Sequence, residues 1–159
     1  MLGIILVIVS FSTLGFYLAD KKLSVLKSIK RMDKLLEIII LSLESERMTL
    51  EEIFENNSFY NDKSTSDFLS KLSPSDFSNV SNIALECGFC TNKTALSILD
   101  EVFFVLGKYS SDEQIKEISF CRNKLNSFFE KINDEILSKA KLLKYSGFFA
   151  GITTAIILI

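Results

Sequence analysis

The fold of this chain is decided by its last fifty residues, 110–159: SSDEQIKEISFCRNKLNSFFEKINDEILSKAKLLKYSGFFAGITTAIILI. Ser110 followed three residues later by Glu113 is a helix-opening signature, in which the serine caps the helix and the glutamate bonds back to the cap. No proline follows, and the first glycine is Gly147. The stretch therefore predicts one long helix.

The apolar residues of this helix form a heptad seam, because their steps alternate between three and four, with gaps at Arg122 and Lys139. The seam consists of Ile115, Ile118, Leu125, Phe129, Ile132, Ile136 and Leu143. From Tyr145 to Ile159 no charge occurs, so a stripe suited to a partner helix becomes a segment that is apolar on all sides. This change predicts a helix that leaves a cytosolic domain and enters a membrane.

The beginning of the chain is also free of charge, over the eighteen residues from Leu2 to Ala19. As a helix this run is about 27 Å long, close to the thickness of a bilayer core. A cleaved signal peptide would need a basic region before the apolar run, and only Met1 precedes this one. We predict an N-terminal transmembrane helix at 1–20, a cytosolic helical domain at 21–144 and a C-terminal transmembrane helix at 145–159.

The flanking lysines predict the orientation. Lys21 and Lys22 follow the first apolar run, whereas Lys139, Lys141 and Lys144 precede the second. Positive charge favours the cytosolic side of a membrane. Both flanks therefore place the central domain in the cytosol and both termini outside.

The first helix carries a matching seam, which predicts how the chain folds. Leu26, Ile29, Leu36, Ile39 and Leu43 again step by three and four, with Met32 or Asp33 between them. Two long helices tied to one membrane with matching seams should lie antiparallel. The predicted fold is all-α, a helical bundle whose long antiparallel first and last helices continue into the two transmembrane segments.

Turn and capping residues divide the middle of the chain. The elements they predict are a helix opened by the capping box Thr49–Glu52 and ending near Asn56, a polar loop at 57–66, a helical turn at 67–72, a helix opened by Pro74 and ending near Gly88, and a helix opened by Thr91 or Asn92 and stopped by Gly107. No strand pattern or repeat is apparent, so one domain is expected.

Composition argues against most chemistry. A net charge of −2 disfavours nucleic-acid binding, and the lack of histidine removes the usual acid–base group and metal ligand. Cys87-Gly-Phe-Cys90 is spaced like a redox or zinc half-site, but Gly88 could equally end a helix whose cysteines pack as small apolar groups. With no catalytic motif, we expect no enzyme activity, no cofactor and no metal; a membrane-anchored thiol-redox protein using Cys87 and Cys90 is the alternative.

Small residues four apart mark the second apolar segment: Gly147, Gly151 and Ala155. Gly15 and Ala19 repeat the spacing in the first segment. Such a pattern lets membrane helices approach closely, although glycine is common in membrane helices in any case. We expect these residues to pack the two helices together, or one copy of the chain against another.

The chain resembles the stage III sporulation protein AB family of endospore-forming Firmicutes over nearly its whole length. The matching motifs are Leu43-Glu44-Ser45-Glu46 followed by Thr49-Leu50, then Leu106-Gly107 with Asp112 and Gln114, and then Lys144-Tyr145-Ser146-Gly147 leading into Gly151. The family shares the plan of an N-terminal membrane helix, a helical domain and a C-terminal membrane helix.

The resemblance implies a function. The family belongs to the apparatus that joins mother cell and forespore, lies in the membrane surrounding the forespore, and faces the mother-cell cytoplasm. Its domain resembles the platform proteins of type II secretion and type IV pilus machines. The chain would then be a non-enzymatic scaffold whose expected partners are the cytoplasmic ATPase stage III sporulation protein AA and the other channel subunits; a homo-oligomer is left open.

The matched positions suggest partner-binding residues, namely Glu44, Glu46, Asp112 and Gln114. The third class of function is a membrane-bound sensor or a transporter subunit. Two spans without an intramembrane charge offer no ion path, which disfavours a transporter acting alone.

Overall fold

The computed structural model describes residues 2–46, 48–55, 62–72 and 77–157. Within these ranges the chain contains helices and no strand, which confirms the all-α prediction. The helices are α1 (Leu2–Leu41), a π-helical turn (Ser42–Glu46), α2 (Leu50–Glu55), α3 (Lys63–Lys71), α4 (Val80–Glu86), α5 (Lys93–Val105) and α6 (Ser111–Ile157).

The chain forms two compact units. Unit 1 comprises Met1–Leu26 and Glu130–Ile159, and unit 2 comprises Lys27–Phe129. Over the part of the chain that the structure describes, no helix is both long enough and apolar enough to cross a bilayer. The transmembrane helices expected at 1–20 and 145–159 are therefore not confirmed and stay a prediction.

The predicted helix starts are largely confirmed by their caps. At α2 the Thr49 backbone N–H donates to Glu52 Oε2 at 2.7 Å, and the Glu52 N–H donates to Thr49 Oγ1 at 3.3 Å. At α5 the side-chain oxygen of Asn92 accepts from the backbone N–H groups of Thr94 and Ala95. Each cap satisfies amides that the first helical turn leaves without a partner.

The predicted glycine stops are also confirmed. Gly88 follows the end of α4 with φ of 64°, and Gly107 follows the end of α5 with φ of 78°. Glycine takes this left-handed conformation without the steric cost that a β-carbon adds.

Two boundaries in the middle of the chain were predicted wrongly. The expected polar loop at 57–66 already contains the start of α3 at Lys63; its first part, 57–61, lies outside the described residues. Asp62 caps this helix by accepting from the Thr65 N–H, so a residue typical of loops opens a helix instead. Likewise α4 begins at Val80 and not at Pro74, which lies outside the described residues.

The core of unit 2 is aromatic at its centre. The rings of Phe68 and Phe89 stack with centroids 4.5 Å apart, and Phe103 meets Phe68 edge-on at 6.0 Å. Phe77 lies before α4 and packs its ring against Phe103 at 5.2 Å and Phe54 at 6.2 Å. Such packing fixes the short helices around α5, because aromatic pairs add to the free energy gained by burying their area.

The two predicted seams are buried to different extents, because only Ile118 and Leu125 are buried among the seven residues of the α6 seam. The whole α1 seam is buried: Leu26, Ile29, Met32, Leu36, Ile39 and Leu43. On α6 the buried residues of unit 2 are Gln114, Ile118, Cys121 and Leu125, so Cys121 occupies the position where the sequence showed a gap at Arg122.

Candidate functional site

The small residues predicted to pack helices lie in unit 1, where the first part of α1 runs antiparallel to the last part of α6. A β-carbon added to Gly147 would lie 2.8 Å from the Phe11 carbonyl oxygen and 2.9 Å from the Gly15 Cα. A β-carbon on Gly15 would lie 2.7 Å from the Leu143 carbonyl oxygen. The two backbones are therefore in contact, at a distance that no larger residue would allow.

The remaining members of the small-residue pattern continue this contact. A β-carbon on Gly151 would lie 3.0 Å from the Ile8 Cα, one helical turn beyond the contact of Gly147. Ala19 and Ala155 are both buried. Four of the five predicted packing residues are thus buried, and the fifth, Gly147, is half-buried at the backbone contact with α1.

The outer surface of unit 1 is apolar. Large side chains that face outward include Ile5, Leu6, Val9, Leu14, Phe16, Tyr17, Phe148, Phe149, Ile156 and Ile157. The hydroxyl groups of Ser10, Thr153 and Thr154 donate to carbonyl groups four residues earlier in their own helices. These bonds leave few hydroxyl groups that need water as an acceptor.

Basic and aromatic side chains meet where the charge-free segments end. The Lys144 ammonium lies over the Phe16 ring, 5.3 Å from its centroid. Tyr17 and Tyr145 are both exposed close by in sequence. Lysine stems lying along aromatic rings, together with tyrosines, are typical of the interface between a membrane and water.

Glu44 and Glu46 lie in the π-helical turn that ends α1. The Ser42 carbonyl of this turn accepts at 3.3 Å from the Met48 N–H, six residues later, one residue beyond the i→i+5 spacing of a π-helix. Glu44 is exposed. The side chain of Glu46 lies outside the described residues. A π-turn is rare and often marks a functional position, so this end of α1 is a distinctive surface feature.

Asp112 and Gln114 differ from each other in environment. Asp112 is exposed in the first turn of α6, where a carboxylate is favoured by the helix dipole. Gln114 is only 8% exposed. Its amide donates to the Tyr109 carbonyl at 2.6 Å, and its oxygen accepts from the Gly107 N–H at 3.2 Å. Gln114 therefore braces the turn between α5 and α6, and a direct contact with a partner stays a prediction.

Within unit 2, the structure brings the π-turn that carries Glu44 close to the first turn of α6, which carries Asp112 and Gln114. A β-carbon on Gly107 would lie 3.7 Å from Leu50 Cδ1, so the α5–α6 turn packs against the start of α2. The start of α2 is itself tied to the π-turn through Met48. One end of unit 2 thus combines the π-turn, the cap of α2 and the first turn of α6.

An ion-pair cluster inside unit 2 was missed by sequence reasoning. Arg122 Nε donates to Asp33 Oδ1 at 2.7 Å, and its Nη2 lies 3.2 Å from Glu37 Oε2. The hydrogen bond that Arg122 donates to Asp33, together with the two carboxylate charges, raises the pKa of the Arg122 guanidinium. The available signal was that Arg122 interrupts one seam while Asp33 competes for a position in the other.

The three cysteines are free thiols. Burial raises the pKa of the Cys90 thiol, and burial beside Glu101 raises that of Cys121. A raised pKa disfavours the thiolate that redox exchange requires. Across the described ranges, no group of three or more cysteine or carboxylate side chains is placed to hold a metal ion.

Comparison with known proteins gives one finding. A model of the family named stage III sporulation protein AB matches residues 1–159. No curated protein and no solved structure matches the chain.

Proposed function

Because the chain belongs to the stage III sporulation protein AB family and thereby has a role in sporulation, we propose that it is a non-enzymatic membrane scaffold. It would serve the channel apparatus between mother cell and forespore, and dock a cytoplasmic ATPase related to stage III sporulation protein AA. Other subunits of the same channel would be its further partners.

One observation supports membrane anchoring: unit 1 buries small residues and exposes large apolar ones, the opposite of a domain folded in water. Its buried described residues are small except for Leu26, namely Gly15, Ala19, Ala140, Gly151 and Ala155. Its large apolar side chains face outward. In water this arrangement would gain little from the hydrophobic effect, whereas in lipid helices associate through close contact of small residues.

The lysines support an orientation. Lys21 and Lys22 are exposed after the first apolar segment, and Lys139 and Lys141 are exposed before the second. By the positive-inside rule, unit 2 would face the mother-cell cytoplasm and both termini would lie on the other side of the membrane that surrounds the forespore. A cytoplasmic ATPase could then reach unit 2.

The surface proposed for the ATPase is the end of unit 2 that contains the π-turn and the first turn of α6. Glu44 and Asp112 present exposed carboxylates there, and Gln114 holds the α5–α6 turn in place. Exposed carboxylates at an interface steer a basic partner and set its orientation. The scaffold itself would do no chemistry, and the buried Cys90 thiol, with its raised pKa, supports that view over a redox role.

Topology can be tested with single cysteines introduced at exposed positions, Gly3→Cys and Lys93→Cys. The full chain would be expressed in a bacterial host without an outer membrane, and a membrane-impermeant maleimide added before or after lysis. We expect position 3 to react in intact cells and position 93 to react only after lysis, with the unmodified chain measuring the background of the native thiols. Reaction of position 93 in intact cells would contradict the proposed orientation.

Docking is tested separately by the charge reversals Glu44→Lys and Glu46→Lys made together. Co-purification of the ATPase with the membrane-inserted chain should fall by about tenfold or more, because the two introduced lysines would repel the basic partner surface that the carboxylates attract. The matched control is Glu86→Lys, an exposed reversal on α4. Equal co-purification by both variants would reject this surface while leaving the membrane anchoring untouched.

A further inference from the structure

A groove with two depressions runs between α5 and α6 in unit 2. The first has a volume of about 490 Å³ and the second about 510 Å³. Ser97, Glu101 and Phe120 line both, so the depressions are neighbours that share a wall. We refer to them together as the α5–α6 groove.

Two outward-facing phenylalanines make this groove unusual for a surface in water. Phe104 is 63% exposed and Phe120 is 60% exposed, whereas the adjacent Phe103 is 1% exposed and belongs to the core. Neither exposed ring is needed for the buried seam of α6, which runs through Ile118 and Cys121. Large exposed aromatic rings beside a depression are typical of the anchors at which a protein partner binds.

The spacing of the depressions indicates what fits them. On α5 the first is lined from Thr94 to Glu101 and the second from Ser97 to Val105. This displacement of about four residues corresponds to about 6 Å along a helix axis. Two side chains four residues apart on an incoming helix have the same separation, so such a helix could place one large apolar side chain in each depression.

The charges around the groove indicate the sign of the charge that a partner should carry. Three carboxylates line the two depressions, on Asp100, Glu101 and Glu117, against the ammonium of Lys124, and a second ammonium, that of Lys108, lies over the Phe104 ring at one end. Lys124 Nζ pairs with Glu101 Oε2 at 2.6 Å, which leaves the other two carboxylates without a lysine. Asp100 is held in place because it accepts from the Ser81 hydroxyl at 2.5 Å. The wall therefore complements lysine or arginine.

A second copy of this chain fits less well. In a symmetric contact, the same patch of each copy would meet itself, and the carboxylates of one groove would face those of the other. Lys108 lies over Phe104, with its ammonium 3.5 Å from the ring centroid, so a cation of the chain itself covers one face of this ring.

We propose that the α5–α6 groove is a second docking surface, which binds an amphipathic helix of another protein. That helix carries two large apolar side chains four residues apart, with lysine or arginine beside them. The proposal depends neither on membrane anchoring nor on the ATPase surface, since the groove is lined by α5 and the first part of α6.

The test uses the full chain in lipid nanodiscs and a displayed library of helical peptides, randomised at surface positions. Selected peptides should carry large apolar residues at positions i and i+4 and a positive net charge. Binding should weaken at least tenfold in the double variant Phe104→Ser/Phe120→Ser and in Glu117→Lys, and should weaken as salt is added. The matched control is Leu85→Ser, which removes an exposed apolar side chain that lines neither depression and should bind normally.

Several outcomes would overturn the proposal. Selection of acidic peptides, or of peptides whose large apolar residues have another spacing, would reject the assigned partner. Enrichment of peptides on the unmodified chain that is no better than on the double variant would reject it too. Equal loss of binding in Leu85→Ser would show that the groove is not the site. Concentration-dependent dimers of the full chain that Phe120→Ser abolishes would assign the groove to a second copy instead.

An added Phe120→Trp variant reports peptide contact with the groove directly through its fluorescence, because the chain has no other tryptophan.

Discussion

The two units of this molecule use opposite packing. Unit 1 buries glycine and alanine and turns its large apolar side chains outward, so its helices meet backbone to backbone at Gly15 and Gly147. Unit 2 buries phenylalanine, leucine and isoleucine and, apart from Phe104 and Phe120, mainly exposes polar residues on α5 and the adjoining part of α6.

This difference shows which force each unit relies on. Removing large apolar groups from water stabilises unit 2, and its aromatic core adds directional contacts. Unit 1 relies on dispersion between backbones that lie in contact, which is effective only where the solvent around the pair is itself apolar. Substitutions that change side-chain size should therefore have opposite consequences in the two units.

The largest effect is expected for Phe103→Ala in unit 2. Phe103 is buried and touches the rings of Phe54, Phe68 and Phe77, so its removal should lower the free energy of unfolding by about 3–5 kcal/mol. Phe104→Ala, one residue later, removes the same ring from an exposed position and should cost less than about 1 kcal/mol. Hydrogen exchange of the α5 amides measures both, and similar values for the two variants would contradict the assigned core.

The next effect is expected for Gly147→Ala in unit 1, where adding one methyl group should be harmful. The new β-carbon would lie within 3 Å of backbone atoms of α1, which cannot move aside, and the cost should be about 1–3 kcal/mol. Gly3→Ala is the matched control, because a β-carbon there meets nothing within 4 Å. It should leave unit 1 unchanged or slightly more stable, since alanine favours helix.

Thermal unfolding of the full chain in detergent micelles compares these two glycine variants. If Gly147→Ala were as stable as Gly3→Ala, the close contact of the helices would be disproved.

A smaller effect is expected for the ion pair of unit 2. Asp33→Asn and Arg122→Met, made singly and together, form a double-mutant cycle, and we expect a coupling free energy of about 1 kcal/mol. The side chains are 29% and 27% exposed for Arg122 and Asp33, so water weakens the pair only in part. Additive losses in urea unfolding would show that the pair does not couple α1 to α6.

The smallest effect concerns pH at the cap of α2. The pKa of Glu52 lies below its ordinary value because the Thr49 backbone N–H, and then the Thr49 hydroxyl, donate to its carboxylate. A lowered pKa in the folded state stabilises the cap above the ordinary pKa, and this contribution is lost as the pH falls through the folded pKa.

The amide proton resonance of Thr49 should follow this titration in NMR spectra, and Glu52→Gln should abolish the change. A midpoint at or above the ordinary pKa of glutamate would contradict the cap.

The sequence predicted the main helices because their signals are local. Capping at Thr49 and Asn92 and the glycine stops at Gly88 and Gly107 depend on residues within one or two turns. The start of α3 was missed because Ser, Thr and Asp around Asp62 favour a loop as strongly as a cap. Burial of Phe68 and its stacking on Phe89 decided between the two.

The candidate sites were predicted unevenly for the same reason. The small residues were visible as a spacing, although only the structure shows that Gly15 meets Gly147. Gln114 was predicted as a partner-binding residue, yet it is buried and bonded to Gly107 and Tyr109, since no pattern shows which way a turn folds back. The exposure of Phe104 and Phe120 in one groove depends on two helices meeting and had no signal in either one.

The sequence by itself determined the helical class, the family, the caps and the faces that are apolar, because these follow from neighbours along one chain. Tertiary structure alone decided the pairing of Arg122 with Asp33, the backbone contact in unit 1 and the groove between α5 and α6. The physical reason is distance along the chain: propensity and capping act over a few residues, whereas these contacts join residues that only folding brings together.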